Sequence, residues 1–145
     1  MKRVLFMFLT LVSALAAASG VTVSAAAPKK GLAGKPVTVK LLLSVSSGYH
    51  IYPSKSAEGI PTEVKLVGPA GFKISSVKYP KTSTFQGLDG PIPVYSGNIA
   101  IEVMVATPKA AKGAQTLVFS VKIQACNDRT CLVPSVDTAK VTLKF

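Results

Sequence analysis

The residues of this chain whose type and spacing best suit a chemical reaction are two cysteines, which can form a disulfide or exchange one. Cys126 and Cys131 are its two cysteines, and they lie in the segment IQACNDRTCLVP with four residues between them. Cysteines this close commonly form a disulfide in an oxidising compartment. Closing a loop of about six residues stabilises a fold by roughly 2 kcal/mol, near the low end for disulfides. Such a bridge can pin one hairpin but cannot tie two sheets together, so a purely structural role is weakly motivated.

The same pair meets the requirements of thiol–disulfide exchange. That reaction needs an accessible sulfur, a second thiol that resolves a mixed disulfide, and surroundings that favour a thiolate. The spacing supplies the second thiol, and Arg129 and Lys122 favour a thiolate, whereas Asp128 opposes it. If strand alternation continues from Leu117, Cys126 faces away from the core. From these residues alone, exchange and a hairpin clamp remain equally open.

Metal chemistry has few ligands available. Two cysteines and one histidine fall short of the four ligands of a structural zinc site, and no cofactor is expected. Copper(I) bound by Cys126 and Cys131, with His50 or Met104, is an alternative because these side chains offer soft ligands. The pair is not the C-x-x-C of a thioredoxin, and no β-α-β pattern surrounds it.

The elements that must position the pair are short β-strands. Apolar and polar residues alternate with period two, and the segments between them are rich in Gly, Pro and Ser, as in YPKTSTFQGLDGPIP. No amphipathic helix follows the first twenty residues. We therefore predict an all-β, immunoglobulin-like two-sheet β-sandwich of about seven strands. The predicted strands are residues 37–45, 99–106, 117–124 and 141–145, with shorter ones at 21–24, 63–67 and 72–79.

The N-terminal segment has the pattern of a signal peptide. Lys2 and Arg3 precede an apolar run over residues 4–18, and small alanines close that run. The run is shorter than the roughly 20 apolar residues that span a bilayer. We therefore expect a signal peptide at residues 1–18 and one domain at residues 19–145, exported and soluble after cleavage. A second cleavage motif, at residues 25–27, is the alternative.

The charge balance is strongly basic but not patterned for nucleic acid. The chain has 17 basic and 6 acidic residues and a formal net charge of +11, which cleavage after Ala18 lowers to about +9. The lysines are scattered and do not alternate with aromatic residues, so nucleic-acid binding is not expected. Attraction to an acidic partner or to an anionic envelope surface is compatible with this charge.

We expect the domain to be a monomer.

Four motifs follow one another along residues 48–134 in the order found in a known protein family. They are GYHIYPSKSAEGIPTEV, GPAGFKISSVKYPK, PVYSGNIAIEVMV and QACNDRTCLVP. Together they resemble the N-terminal periplasmic domain of the thiol:disulfide interchange protein DsbD. In that family the domain is immunoglobulin-like, and its two cysteines pass reducing equivalents from a thioredoxin-like domain to exported oxidoreductases.

The resemblance implies a role for each site residue. Cys131 would be the partner-facing sulfur and Cys126 its resolving mate. Phe85, in TSTFQGLDG, would be the phenylalanine that caps the cysteines, with His50 and Tyr52 at the aromatic positions beside them. Each of these three has a structural alternative: Tyr52 as a core residue, His50 as a surface ring and Phe85 as a loop anchor.

The chain also departs from the family pattern. Acidic residues precede the cap phenylalanine in enteric members, whereas Ser83 and Thr84 stand there in this chain, so acid-assisted exchange is not expected. The sequence ends at Phe145, without the membrane and C-terminal thioredoxin-like domains of the full protein. The expected partners are therefore thioredoxin-like redox proteins or a separate membrane electron carrier. The rival hypothesis is a non-catalytic envelope binding or structural module with a local hairpin disulfide.

Overall fold

The computed structural model describes residues 19–145, and every helix or strand assigned in that range is a β-strand. The predicted signal peptide at residues 1–18 lies outside the described residues. Eleven strands follow one another along the chain: β1 (Val21–Ala26), β2 (Val37–Val45), β3 (His50–Ile51), β4 (Glu63–Gly68), β5 (Lys73–Lys78), β6 (Ser83–Gly87), β7 (Gly90–Val94), β8 (Asn98–Ala106), β9 (Ala114–Ile123), β10 (Ala125–Cys126) and β11 (Ser135–Lys144).

Two antiparallel sheets form the body of the domain. One sheet has the strand order β1-β2-β8-β5, and the other has the order β11-β9-β4. The apolar residues of β2, β8 and β9 alternate between buried and more exposed positions, as period-two sequences must. Their inward side chains, such as Leu41, Ile101 and Phe119, are fully buried in one core. This arrangement is the predicted immunoglobulin-like β-sandwich.

Two further sheets of two strands each lie outside this body. Strand β3 pairs with β10, and β6 pairs with β7 in a hairpin whose register joins Phe85 to Ile92. Tyr95, just after β7, exchanges two backbone hydrogen bonds with Ile51, at 2.8 and 2.9 Å. The hairpin is thereby fixed next to the strand pair that carries Cys126.

The predicted strand set was correct for the long segments and incomplete elsewhere. The segment YPKTSTFQGLDGPIP, predicted to be a loop, contains β6 and the start of β7; its prolines and glycines mask the alternation. The last strand starts at Ser135 rather than at 141, because β11 pairs with β9 along polar as well as apolar positions. Within residues 19–145, no helix is long and apolar enough to cross a membrane.

Candidate functional site

A disulfide joins Cys126, at the end of β10, to Cys131, with an S–S distance of 2.04 Å. The residues between them, together with the two cysteines, form the cysteine loop (residues 126–131). The Asn127 side-chain oxygen accepts hydrogen bonds from the backbone N–H groups of Arg129 and Thr130, at 2.9 and 2.7 Å. Asn127 N–H also donates to the Thr130 carbonyl at 2.9 Å. This Asx turn reverses the chain and brings the two cysteines opposite each other.

The two cysteines differ sharply in exposure. Cys126 is only 1% exposed, whereas Cys131 is an exposed residue. Thiol–disulfide exchange begins when a thiolate reaches one sulfur along the line of the disulfide. A partner approaching from solvent therefore meets Cys131 first, while Cys126 is positioned behind it.

Cys126 is covered by side chains from outside the main core. Ala125 belongs to that core, and Cys126, the next residue, points the other way, as the alternation from Leu117 predicts. The side chain is nevertheless not solvated, because it lies in a second cluster. That cluster consists of Tyr52, Val94 and Cys126, with Phe85 and Ile92 of the hairpin packed against it. The family resemblance pointed to Phe85 as part of this cover, whereas Ile92 and Val94 were missed because the hairpin was predicted to be a loop.

His50 is paired directly with Cys126 in the register of β3 and β10. Its ring is stacked on Phe85, with centroids 4.2 Å apart, and meets Tyr52 edge-on at 5.4 Å. His50 is only 4% exposed, so its interpretation as a surface ring is wrong. Burial lowers the pKa of His50, which keeps the imidazole neutral at neutral pH. Among the described residues, its Nε2 atom has no hydrogen-bond partner.

Tyr52 is fixed by the segment that follows it. Thr62 donates from its hydroxyl and its backbone N–H to the Tyr52 carbonyl, at 2.6 and 3.1 Å. Burial raises the pKa of Tyr52, and the negative charge of Glu58 adds to the effect, so the side chain stays a neutral phenol. Gly59 lies against the ring with a backbone φ of +58°. The segment between β3 and β4 therefore holds Tyr52 against the site.

We expect Gly59→Ala to loosen this part of the site. A Cβ at position 59 would overlap the Tyr52 ring. Overpacking of this kind costs about 1–3 kcal/mol, and the left-handed backbone adds about 1–2 kcal/mol. Gly48→Ala is the matched control, because Gly48 has a φ of +80° and nothing within 4 Å of the added Cβ. Urea unfolding of both variants measures the difference, and equal losses would refute the contact with Tyr52.

Gln124 is a site residue that the sequence analysis did not select. Its side-chain oxygen accepts a hydrogen bond from Ile60 N–H at 3.3 Å, and its amide nitrogen donates to the Leu132 carbonyl at 3.3 Å. Leu132 N–H in turn donates to the Ala125 carbonyl at 2.8 Å. Gln124 thus joins the segment after Tyr52 to the residue after Cys131. A single glutamine between two strands carries no pattern that would have identified it.

The structure therefore brings together all five residues that the sequence selected: Cys126, Cys131, His50, Tyr52 and Phe85. Met104, an alternative copper ligand, is not among them. It lies on the outward face of β8 opposite Thr38, because Val103 and Val105 take the inward positions. Within residues 19–145, no three His, Cys, Asp or Glu side chains form a group that could hold a metal ion.

Fold and site together define an immunoglobulin-like β-sandwich domain with a disulfide between an exposed and a buried cysteine beside an aromatic cluster. The chain belongs to the family described as thiol:disulfide interchange protein DsbD, N-terminal, whose model matches residues 18–143. A search of curated proteins finds no significant match.

Two solved structures have the same fold. The N-terminal periplasmic domain of ScsB from Proteus mirabilis is 16% identical, with a TM-score of 0.59, over 86% of this chain and 46% of that one. This chain thus spans less than half of that structure. The reduced N-terminal domain of DsbD from Neisseria meningitidis is 13% identical, with a TM-score of 0.58, over 87% of each chain. At these identities the likeness concerns the fold alone.

Proposed function

We propose that this domain is an exported redox module that exchanges thiols and disulfides through Cys126 and Cys131 with thioredoxin-like partners. The observation that carries the proposal is the pairing of an exposed Cys131 with a buried Cys126. Membership of the DsbD N-terminal family supports it independently. The similar structures are described as periplasmic or DsbD domains, which favours the same exported location here.

The reaction needs no group beyond the cysteines and a partner dithiol. A partner thiolate attacks Cys131 Sγ, the Cys126–Cys131 bond breaks, and Cys126 leaves as a thiolate that takes up a proton. The partner's second thiolate then attacks the partner's first sulfur, which is bonded to Cys131 in the mixed disulfide, and Cys131 leaves as a thiolate. Two electrons have passed to this domain, and the partner is oxidised. In these steps a separate thioredoxin-like protein or membrane carrier can serve as the electron donor. The same steps in reverse deliver the electrons to an oxidised acceptor.

The surrounding residues have supporting roles in this proposal. Phe85 covers the site from the hairpin side, since its ring lies on His50 and packs against the cluster that holds Cys126. His50 and Tyr52 form the wall behind the resolving cysteine. Because burial lowers the pKa of His50, this ring contributes no positive charge beside Cys126 at neutral pH.

The rival function is a structural clamp, in which the disulfide only stabilises the cysteine loop, and this fold has little need of it. The cysteine loop is already closed by the Asn127 turn and by the hydrogen bond from Leu132 to Ala125. We expect the disulfide to equilibrate with glutathione at a potential above about −300 mV, the range of exchanging disulfides. The double variant Cys126→Ser, Cys131→Ser should lose no more than about 2 kcal/mol of stability. A lower potential together with a much larger loss would favour the clamp.

A further inference from the structure

Asp137 is an acidic side chain on the inward side of β11. It shares that side with Ala139 and Leu143, which are buried in the main core, whereas Val136 and Thr138 are exposed. In the register with β9 it is paired with Val121, which is fully buried. A carboxyl group in such a position loses much of its hydration. Burial accordingly raises the pKa of Asp137, although the nearby Ser19 and Ser135 hydroxyls act in the opposite direction.

The neighbouring hydroxyls leave one oxygen of this carboxyl group without a donor. The Oδ2 atom of Asp137 is buried without a hydrogen-bond partner among the residues that the structure describes. The Ser19 and Ser135 hydroxyls both lie beside the carboxyl group and lower its pKa, but the Ser19 hydroxyl also donates to the Val21 carbonyl at 2.8 Å, and Oδ2 itself has no donor. A buried oxygen without a donor is costly, so a further donor at this position would stabilise the fold.

Ser19 and Gly20 are fixed parts of the domain beside this carboxyl group. Ser19 is only 6% exposed, and the Gly20 carbonyl accepts a hydrogen bond from Ser46 N–H at 2.8 Å. Gly20, with a φ of +70°, lies close to the side chains of Leu132 and Ala125. Those two residues directly adjoin Cys131 and Cys126. The start of the described chain therefore packs against the back of the cysteine loop.

We propose that the Asp137 carboxylate binds the α-ammonium group that signal-peptide cleavage creates at Ser19. Hydrolysis of the Ala18–Ser19 bond consumes one water and converts an amide nitrogen with one proton into an ammonium group with three donors and a positive charge. That group supplies the donor that Oδ2 lacks and a counter-charge for the carboxylate. Processing thereby completes the packing behind the cysteine loop. The proposal rests on the predicted cleavage site and not on the proposed redox function.

The first test identifies the mature N-terminus. Protein recovered from the envelope after export should begin at Ser19 by N-terminal sequencing. A mature chain that begins at another residue, such as Pro28, would overturn the proposal, because no α-ammonium would then lie beside Asp137.

The second test is a double-mutant cycle on the folding equilibrium. The first pair of chains keeps Asp137, and one member begins at Ser19 while the other retains Ala18. The second pair has the same two N-termini and carries the substitution Asp137→Asn. Retaining Ala18 displaces the ammonium group, so it should lower the folding equilibrium constant roughly tenfold to a hundredfold in the pair that keeps Asp137. It should have little effect in the pair that carries the substitution. Equal effects in both pairs would refute the ion pair.

A third measurement covers variants that are too unstable for the cycle. The Ser19 α-amine should react slowly with an acylating reagent in the folded chain, because it is protonated and bound. Asp137→Asn should accelerate this reaction. Asp128→Asn, which removes an exposed carboxylate from the cysteine loop, is the matched control and should leave the rate unchanged. An unchanged rate in Asp137→Asn would refute the proposal.

Discussion

Replacing Cys126 with serine should convert a transient partner complex into one that accumulates. The reduced variant keeps the exposed Cys131, which displaces thionitrobenzoate from the single activated cysteine of a thioredoxin-like partner whose second cysteine is replaced by serine, so the mixed disulfide forms and neither protein has a thiol that resolves it. Because Cys126 lies in a cluster with Tyr52 and Val94, the serine hydroxyl should perturb local packing without changing the exposure of Cys131. Incubation with the partner, followed by alkylation and non-reducing electrophoresis, should show the linked complex as the main product.

The matched control is Cys131→Ser, which leaves only the buried cysteine. With Cys126 only 1% exposed, a partner sulfur cannot reach it without local opening, so this variant should trap far less complex. Mass spectrometry of the linked peptides should place the bond at Cys131. Equal trapping by both variants would contradict the division between a partner-facing and a resolving cysteine. No trapping by either would favour the structural clamp.

The sequence was informative about the main sheets because their residues obey one simple rule. In β2 and β9, alternate residues are buried in the core, so period two alone predicts both strands and their inward faces. The same rule predicted the direction of Cys126, since Ala125 before it continues the buried series. Local pattern was sufficient for these strands, but it missed the first half of β11, where Ala139 alone is buried in the core.

Local pattern failed where the cover of the site comes from a distant segment. Phe85 lies 41 residues before Cys126 in the chain, and its strand is interrupted by prolines and glycines that resemble a loop. The burial of His50 has partly the same origin, because its ring is covered by Phe85 as well as by its near neighbour Tyr52. Phe85 was selected only through the family resemblance, and His50 was selected through it and as an alternative copper ligand. Periodicity within one segment cannot report a contact between segments.

Replacing Phe85 with alanine should speed the reaction of the disulfide with small thiols. The ring is half-buried, stacks on His50 at 4.2 Å and packs against the cluster around Cys126. Its loss should uncover the site without altering the sulfurs themselves. A barrier lowered by about 1.4 kcal/mol would raise the rate about tenfold. The stability loss should be about 1–2 kcal/mol, below the roughly 3–5 kcal/mol typical of a fully buried phenylalanine.

Reduction by dithiothreitol under pseudo-first-order conditions measures this effect. Leu88→Ala is the matched control, because Leu88 lies fully exposed at the tip of the same hairpin and should leave the rate unchanged. Phe85→Leu, which restores much of the apolar cover, should fall between wild type and Phe85→Ala. A rate in Phe85→Ala that equals the wild-type rate would show that the ring does not limit access to the disulfide. Phe85 would then be a packing residue of the hairpin, since removing a barrier to approach must accelerate a bimolecular reaction.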